Sequence, residues 1–263
     1  MICSPIIQSG LGNILFKIAA SYAYSLRYGY DFYIYKNLCQ DSHHGKVSDY
    51  FNSILSNINI KESSEGSINI FKENSMVYRE VPNFNQDIYF YGDFQSESYF
   101  CDFKNEVQNL FNLNKTNFNG KGICSLHVRR GDYLNLTHFY EQINNEYYRE
   151  AIKLFDEDIK FLVFSNDIEW CKNNFTEKNG YKNIEFSDSN NPNYIDLELM
   201  SKCEHNITTN STFSWWAAYL NKNKNKKIVT PKQWISQHLA DLSCEGNRDR
   251  YMNEVIPKEW IRL

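Results

Sequence analysis

The chain has 263 residues, 42% of them hydrophobic and 16% aromatic, and carries a formal net charge of −4. That is ample for a buried core, long for one domain and short for two large ones. No general basic field points to nucleic acid, so any anion site has to be local. The seven cysteines fall at irregular spacing with no Cys-x-x-Cys, which signals neither a zinc site nor a disulfide framework. No apolar run approaches the ~20 residues of a membrane span, and no signal peptide is evident at the amino terminus. The chain therefore reads as soluble, reduced and cytoplasmic.

Taken in order, residues 2–8 read as a first strand, weakened by Pro5. Ser9-Gly10-Leu11-Gly12-Asn13 follows, then a helix with Leu15, Ile18, Ala19, Tyr22, Ala23 and Leu26 on one face, stopped by Gly29. Strand, glycine turn and helix open an α/β unit. Gly10 and Gly12 let a ligand approach the backbone, and they equally suit an ordinary tight turn. The pattern is neither Walker A nor a complete dinucleotide fingerprint. Residues 31–35 are the next expected strand. Residues 48–60 have helical spacing, 59–67 are polar and loop-like, 89–96 read as a buried strand entering a turn, and 107–113 as a short helix. The polar, glycine-ended stretch 114–122 is the expected joint between a first domain, 1–118, and a second, 119–263, whose last helix is free to pack back on the first.

Beyond the joint the alternation is regular. Strands are expected at 123–127, 159–165, 183–186, 206–209 and 227–230, and helices at 147–155, 167–174, 196–203 and 211–220. This predicts a parallel, Rossmann-like sheet covered on both faces. The lysine–asparagine run 221–227 reads as a solvated helix end. Asp156-Glu157-Asp158 has the look of a metal-binding Asp-x-Asp, but it precedes a strand and reads as a solvated acidic turn.

Three stretches carry chemistry. In His127-Val128-Arg129-Arg130-Gly131-Asp132 a strand ends in two guanidinium groups, and ligands of open α/β sheets bind beyond strand carboxyl ends. Arginine matches phosphate oxygens, although a surface ion-pair cluster has the same composition. In Asn210-Ser211-Thr212-Phe213 small hydroxyl residues open an apolar helix, where Ser211 or Thr212 caps it or its amino terminus receives an anion. Trp215 and Trp216 behind them read as core. Phe164-Ser165-Asn166-Asp167 ends another strand, with Asp167 set either to accept from a nucleoside or to cap its helix.

These motifs resemble family 11 glycosyltransferases, the α-1,2-fucosyltransferases. The resemblance rests on Ser9-Gly10-Leu11-Gly12-Asn13, on His127 to Tyr133, on Phe164 to Asp167 with Trp170, and on Leu199-Met200-Ser201 leading to Asn210 to Leu220, in that order. It departs from the family pattern at Ser9, usually glycine, at Ile14, usually glutamine, and at Asn166, where Ser-Asp-Asp is usual. The resemblance implies an α/β, GT-B-like fold of two facing Rossmann-like domains with parallel sheets. The first domain would take the acceptor and the second the GDP-sugar. It implies an inverting, metal-independent transfer of fucose from GDP-fucose to a glycan acceptor. By the family pattern Arg129 would be the cation at the leaving β-phosphate, aided by Ser211, Thr212 and Phe213. His127 and Asp167 would contact guanosine, with Gly10, Gly12, Asn13, Arg130 and Asn210 also lining the substrate. Arg130 and Asp132 are expected to pair and shape the loop. The general base is not identified; Asp132 and Glu141 are the candidates, with His138 nearby.

Overall fold

The chain, described in a computed structural model over residues 1–43, 45–64 and 69–263, is a mixed α/β protein whose sheets are parallel. It divides into two units: Met1–Lys115 with Ser243–Pro257, and Thr116–Leu242 with Lys258–Leu263.

The first unit begins with β1 (Ile2–Pro5), α1 (Leu11–Tyr28), β2 (Asp31–Phe32), β3 (Ile34–Tyr35), α2 (Ser48–Phe51), β4 (Ile60–Lys61), β5 (Ile70–Lys72), β6 (Ile88–Tyr91) and α3 (Lys104–Leu110). A parallel sheet runs in the order β2-β1-β6-β5, and β3 pairs with β4. The strand expected over 31–35 is thus broken in two, and Pro5 supplies the reason. Tyr33 donates its N–H to the carbonyl of Cys3 at 3.3 Å. The next bond along that edge would need an N–H from Pro5, which has none. Pairing stops there, and Ile34–Tyr35 turn to β4 instead.

β4 lies inside the stretch 59–67 that reads as a loop; residues 65–67 of that stretch fall outside the described residues. β5 is missed because its outward residues Ile70 and Lys72 flank a single half-buried Phe71, which leaves no apolar run to read. α2 is one turn where the spacing over 48–60 suggests more, and α3 lies three residues earlier than 107–113. α1 matches its expectation closely. Gly29 ends it at φ +71 with its N–H on the carbonyl of Ser25, the left-handed stop that glycine provides.

The second unit contains β7 (Gly120–Val128), α4 (Asn145–Ile152), β8 (Lys160–Ser165), α5 (Ile168–Asn174), β9 (Ile184–Phe186), α6 (Asn193–Lys202), β10 (Cys203–Ile207), α7 (Thr212–Leu220) and β11 (Ile228–Thr230). α8 (Gln237–Ser243) follows and leads to α9 (Arg248–Val255) of the first unit, before β12 (Ile261–Arg262). The parallel sheet has the order β12-β11-β10-β7-β8-β9. β7 and β10 each start about one turn of sequence before the apolar signal does. Gly120 lies so close to β10 that a Cβ there would sit 2.3 Å from the carbonyl oxygen of Lys202. A glycine that reads as a joint is here a point of close backbone approach.

Side chains alternate across β7. Cys124, Leu126 and Val128 enter a core with Tyr148 and Ala151 of α4 and Ile168 and Cys171 of α5. Ser125 and His127 face the other side, where Asn206 donates to Ser125 at 2.7 Å. Trp215 and Trp216 are fully buried core residues. Residues 156–158 are exposed in the turn before β8. The run 221–227 is not simply a solvated helix end. Asn221 is buried, and its amide donates to the carbonyl of Cys203 and the side chain of Asn206, both at 2.8 Å, which closes α7 onto β10. Among the described residues no helix is long and apolar enough to cross a membrane.

Ser9 is a local cost. It precedes α1 at φ +84, a conformation that a side chain disfavours by about 1–2 kcal/mol and glycine does not. Ser9→Gly is therefore expected to raise the stability of the first unit by about 1 kcal/mol after the extra freedom of the unfolded glycine is subtracted. The denaturation midpoint measures it, and an unchanged or lower midpoint would refute the strain.

Candidate active site

Strand order locates the site in the second unit. The chain runs outward from β7 through β8 to β9, then α6 carries it back so that β10 lies on the opposite side of β7. The loops beyond the carboxyl ends of β7 and β10 therefore diverge at a topological switch point, where doubly wound sheets bind ligands. The residues arriving there are His127 to Asp132 from β7, Thr208 to Phe213 from β10, and Ser165 to Asp167 from the adjacent β8.

The two arginines are held apart. One Nη of Arg129 lies 2.7 and 2.9 Å from the two carboxylate oxygens of Asp132, and its guanidinium sits 5.2 Å from the ring centre of Tyr133. Arg130 donates from Nε to Asp167 at 3.1 Å and stacks 3.8 Å from the ring of Trp170. The expected pair of Arg130 with Asp132 is therefore corrected: Asp132 belongs to Arg129. Successive side chains at a strand end point to opposite sides, so one carboxylate near the loop reaches only one of the two cations. Arg129 keeps Nε and its other Nη without a protein hydrogen bond among the described residues, and these donors are available to an anion.

The turn between these groups depends on Gly131, at φ +51. A Cβ there would lie 2.4 Å from Nδ2 of Asn166, whose Oδ1 accepts the backbone N–H of Arg130 at 2.9 Å. Asn166 is a positioning group that the motif alone does not reveal. Of its two expected roles Asp167 shows the cap, together with an ion pair that the motif does not suggest. It caps α5 by accepting from the N–H of Trp170 at 3.3 Å, and it binds Arg130.

His127 is almost fully buried, with its ring 5.5 Å from that of Phe213 and its Nδ1 without a hydrogen-bond partner among the described residues. Burial first, and the charge of Arg129 second, lower its pKa to about 3. The imidazole is neutral at physiological pH. Ser211 caps α7 by accepting from the N–H of Phe213 at 3.3 Å, so the positive end of the helix dipole opens beside β7. Asn210 is turned inward: both amide hydrogens donate to carbonyls, of Glu141 at 2.8 Å and Trp234 at 3.0 Å, while Oδ1 accepts from Thr209. Glu141 is half-buried, held through its backbone N–H on Trp234. Tyr140, which no motif flags, stacks on Tyr133 at 4.5 Å and 14°.

Gly10, Gly12 and Asn13 lie in the first unit. Gly10 precedes α1, Gly12 is buried within its first turn, and Oδ1 of Asn13 accepts from Gln95 at 3.3 Å, which in turn accepts from the hydroxyl of Tyr251 at 2.8 Å. Among the described residues no group of three or more His, Cys, Asp or Glu side chains could hold a metal ion.

Two outcomes test this geometry. Gly131→Ala forces a methyl into Asn166 and a side chain into a left-handed turn, and is expected to cost about 2 kcal/mol, the sum of one conformational penalty and one hydrogen bond. A denaturation midpoint equal to that of the wild type would refute the clamp. For His127 the sign follows from its lowered pKa. Unfolded it titrates at about 6.5; folded, at about 3. Between these values the unfolded chain binds a proton that the folded chain refuses. Stability present above pH 6.5 is therefore lost as pH falls toward 3, at up to about 1.4 kcal/mol per pH unit. His127→Gln should flatten the stability-versus-pH curve over that window; parallel curves would contradict a buried neutral ring.

Comparison with known proteins agrees with the architecture. The family model described as "Glycosyl transferase family 11" matches residues 42–255. The O-antigen biosynthesis glycosyltransferase WbnK of Escherichia coli is 38% identical over 143 residues, 49% of this chain and 47% of WbnK. An alpha-1,2-colitosyltransferase of Escherichia coli is 29% identical over 196 residues, 66% of this chain and 62% of the relative. The human galactoside alpha-(1,2)-fucosyltransferase 1 is 33% identical over 114 residues, 41% of this chain and 31% of the relative. The aligned regions thus span between about a third and two thirds of these relatives' own length. Among solved structures, fucosyltransferase NodZ from Bradyrhizobium superposes with a TM-score of 0.52 at 14% identity, covering 81% of this chain and 91% of NodZ, a likeness of fold that is GT-B-like. With its parallel sheets, its switch-point loops and a family match over most of its length, the chain belongs to glycosyl transferase family 11.

Proposed function

We propose that the chain transfers L-fucose from GDP-β-L-fucose to a glycan hydroxyl, most simply O2 of a galactose-type residue, with inversion and without a metal ion. The observation that carries this reading is Arg129, a part-buried guanidinium at the switch point with two of its nitrogens unengaged among the described residues. As the bond to GDP breaks, negative charge grows on the β-phosphate oxygen. A fixed cation there stabilises the transition state more than the ground state. The amino terminus of α7, with Ser211, Thr212 and Phe213, adds a dipole to the same region. The neutral ring of His127 suits an uncharged nucleoside group. Gly10, Gly12 and Asn13 are assigned to the substrate side of the first unit.

Proton removal from the acceptor is assigned to Glu141 or Asp132. Asp132 is tied to Arg129, so its replacement disturbs the cation too, and Glu141→Gln is the cleaner test of the two. The alpha-1,2-colitosyltransferase relative favours a second reading, in which the same scaffold takes GDP-colitose. The linkage is proposed from the α-1,2 relatives, since the likeness to NodZ concerns fold. We place the reaction in the cytoplasm on a soluble or lipid-linked glycan.

The test is GDP release by the purified protein from GDP-fucose and GDP-colitose. It is run with galactose-, N-acetylglucosamine- and rhamnose-terminated acceptors, with and without chelator. Chelator-resistant release that rises with one acceptor is the expected result, with product linkage read by NMR. Arg129→Ala should lower turnover by about 100- to 1000-fold, the range for loss of one transition-state donor, while the fold is retained. Turnover within a few-fold of wild type would remove Arg129 from the mechanism.

A further inference from the structure

We infer that Asn210 is a positioning residue that sets Arg129 through a chain of packed groups, and does not itself hold the substrate. This rests on the assignment of Arg129 to the β-phosphate. Asn210 is the last residue before the cap of α7, and only 3% of it is exposed. An asparagine amide has two hydrogens to donate; here one goes to the carbonyl of Glu141 at 2.8 Å and the other to the carbonyl of Trp234 at 3.0 Å. Its oxygen accepts from the hydroxyl of Thr209 at 3.1 Å. Little is left with which to meet a ligand.

These bonds gather three segments at one point. The β10–α7 turn supplies Asn210, the long loop after β7 supplies Glu141, and the strap after β11 supplies Trp234. The loop and strap are also joined to each other, by the N–H of Glu141 on the carbonyl of Trp234 at 3.1 Å and by a bridge between Tyr140 and Ile235. Tyr140, fixed in this way, lies flat on Tyr133 at 4.5 Å and 14°. The ring of Tyr133 also lies against the guanidinium of Arg129, 5.2 Å from its centre, and the neighbouring Asp132 holds the same guanidinium. The path from Asn210 to Arg129 is therefore continuous: amide to Glu141, along one residue to Tyr140, ring to Tyr133, ring to cation.

The two ends of the path belong to the two parts of the proposed phosphate site, the helix amino terminus and the arginine. Asn210 fixes their register. Misplacement of a reacting group by about 1 Å can cost about 100-fold in rate, so a clamp at this point acts on turnover without touching the substrate.

The experiment compares GDP with GMP. Their affinities differ by the β-phosphate, so the ratio reports Arg129 in place. Calorimetry on wild type, Asn210→Ser and Tyr140→Ala gives the ratio, with thermal midpoints and GDP release alongside. Tyr140→Ala removes the ring stack while leaving every buried hydrogen bond of Asn210 intact, so it answers the question even if the Asn210 variant fails to fold. Both variants are expected to lose at least about tenfold in turnover and most of the preference for GDP, with GMP affinity within about twofold of wild type. Equal losses for GDP and GMP in Asn210→Ser would mean that Asn210 meets the nucleotide directly. A lowered midpoint with turnover and ratio unchanged would leave it a purely structural clamp. A Tyr140→Ala ratio equal to wild type would break the path. Each of these overturns the inference. Wild-type protein that binds GDP no better than GMP overturns the assignment of Arg129 itself, and the inference with it.

Discussion

Two guanidinium groups on adjacent residues repel one another, and the second unit is built around separating them. Arg129 receives Asp132 and the face of Tyr133; Arg130 receives Asp167 and the face of Trp170. The partners come from different elements, the loop after β7 and the head of α5, so the separation also joins those elements. Each ion pair is part-exposed and worth little by itself. Their shared effect is geometric. Gly131 must turn with a positive φ for the loop to leave the strand, and Asn166 must hold the N–H of Arg130 for that turn to have one shape.

The charges of this region sum to zero, since two arginines face two aspartates. Attraction for an anion therefore comes from where donors point and not from a net field. The unengaged nitrogens of Arg129 and the amino terminus of α7 are such donors, and burial increases their strength. The neutral state of His127 belongs to the same logic. A third full charge beside Arg129 would have to be desolvated without a partner, and the structure avoids that by keeping the ring unprotonated.

The second unit is the more legible half of the sequence because strands such as β8 and β11 are largely buried and read as apolar runs. β8, β9 and β11 fall within a residue or so of where periodicity puts them, and so do α5 and α7. What periodicity misses are strand beginnings that contain polar residues or glycine, as at Gly120 in β7 and at Glu204 and His205 in β10, where pairing is decided by the neighbour and not by hydrophobicity. In the first unit the strands are two to four residues long, too short for a period to declare itself, and Pro5 redirects one of them. The site was legible as a set of residue types and not as a set of partners. Motif spacing brings Arg129, Arg130, Asp132 and Asp167 together. It does not say which carboxylate serves which cation, nor that Asn210 faces inward, because those choices depend on side-chain direction and on Glu141, Tyr140 and Trp234, remote in sequence from the motif that holds Asn210.

The departures from the family pattern bear out the primacy of partners over residue names. Ser9 stands where the resemblance leads one to expect glycine, and it takes a positive φ there, so the turn before α1 is made at a cost in stability. Asn166 stands where the resemblance leads one to expect an aspartate, and its side-chain oxygen accepts the N–H of Arg130. The difference is in charge. An aspartate at 166 would set a third carboxylate beside two cations and leave the region at −1, opposing a diphosphate. An asparagine gives the same hydrogen bond and leaves the region neutral, so in this chain the backbone clamp is obtained without weakening the pull of Arg129 on an anion.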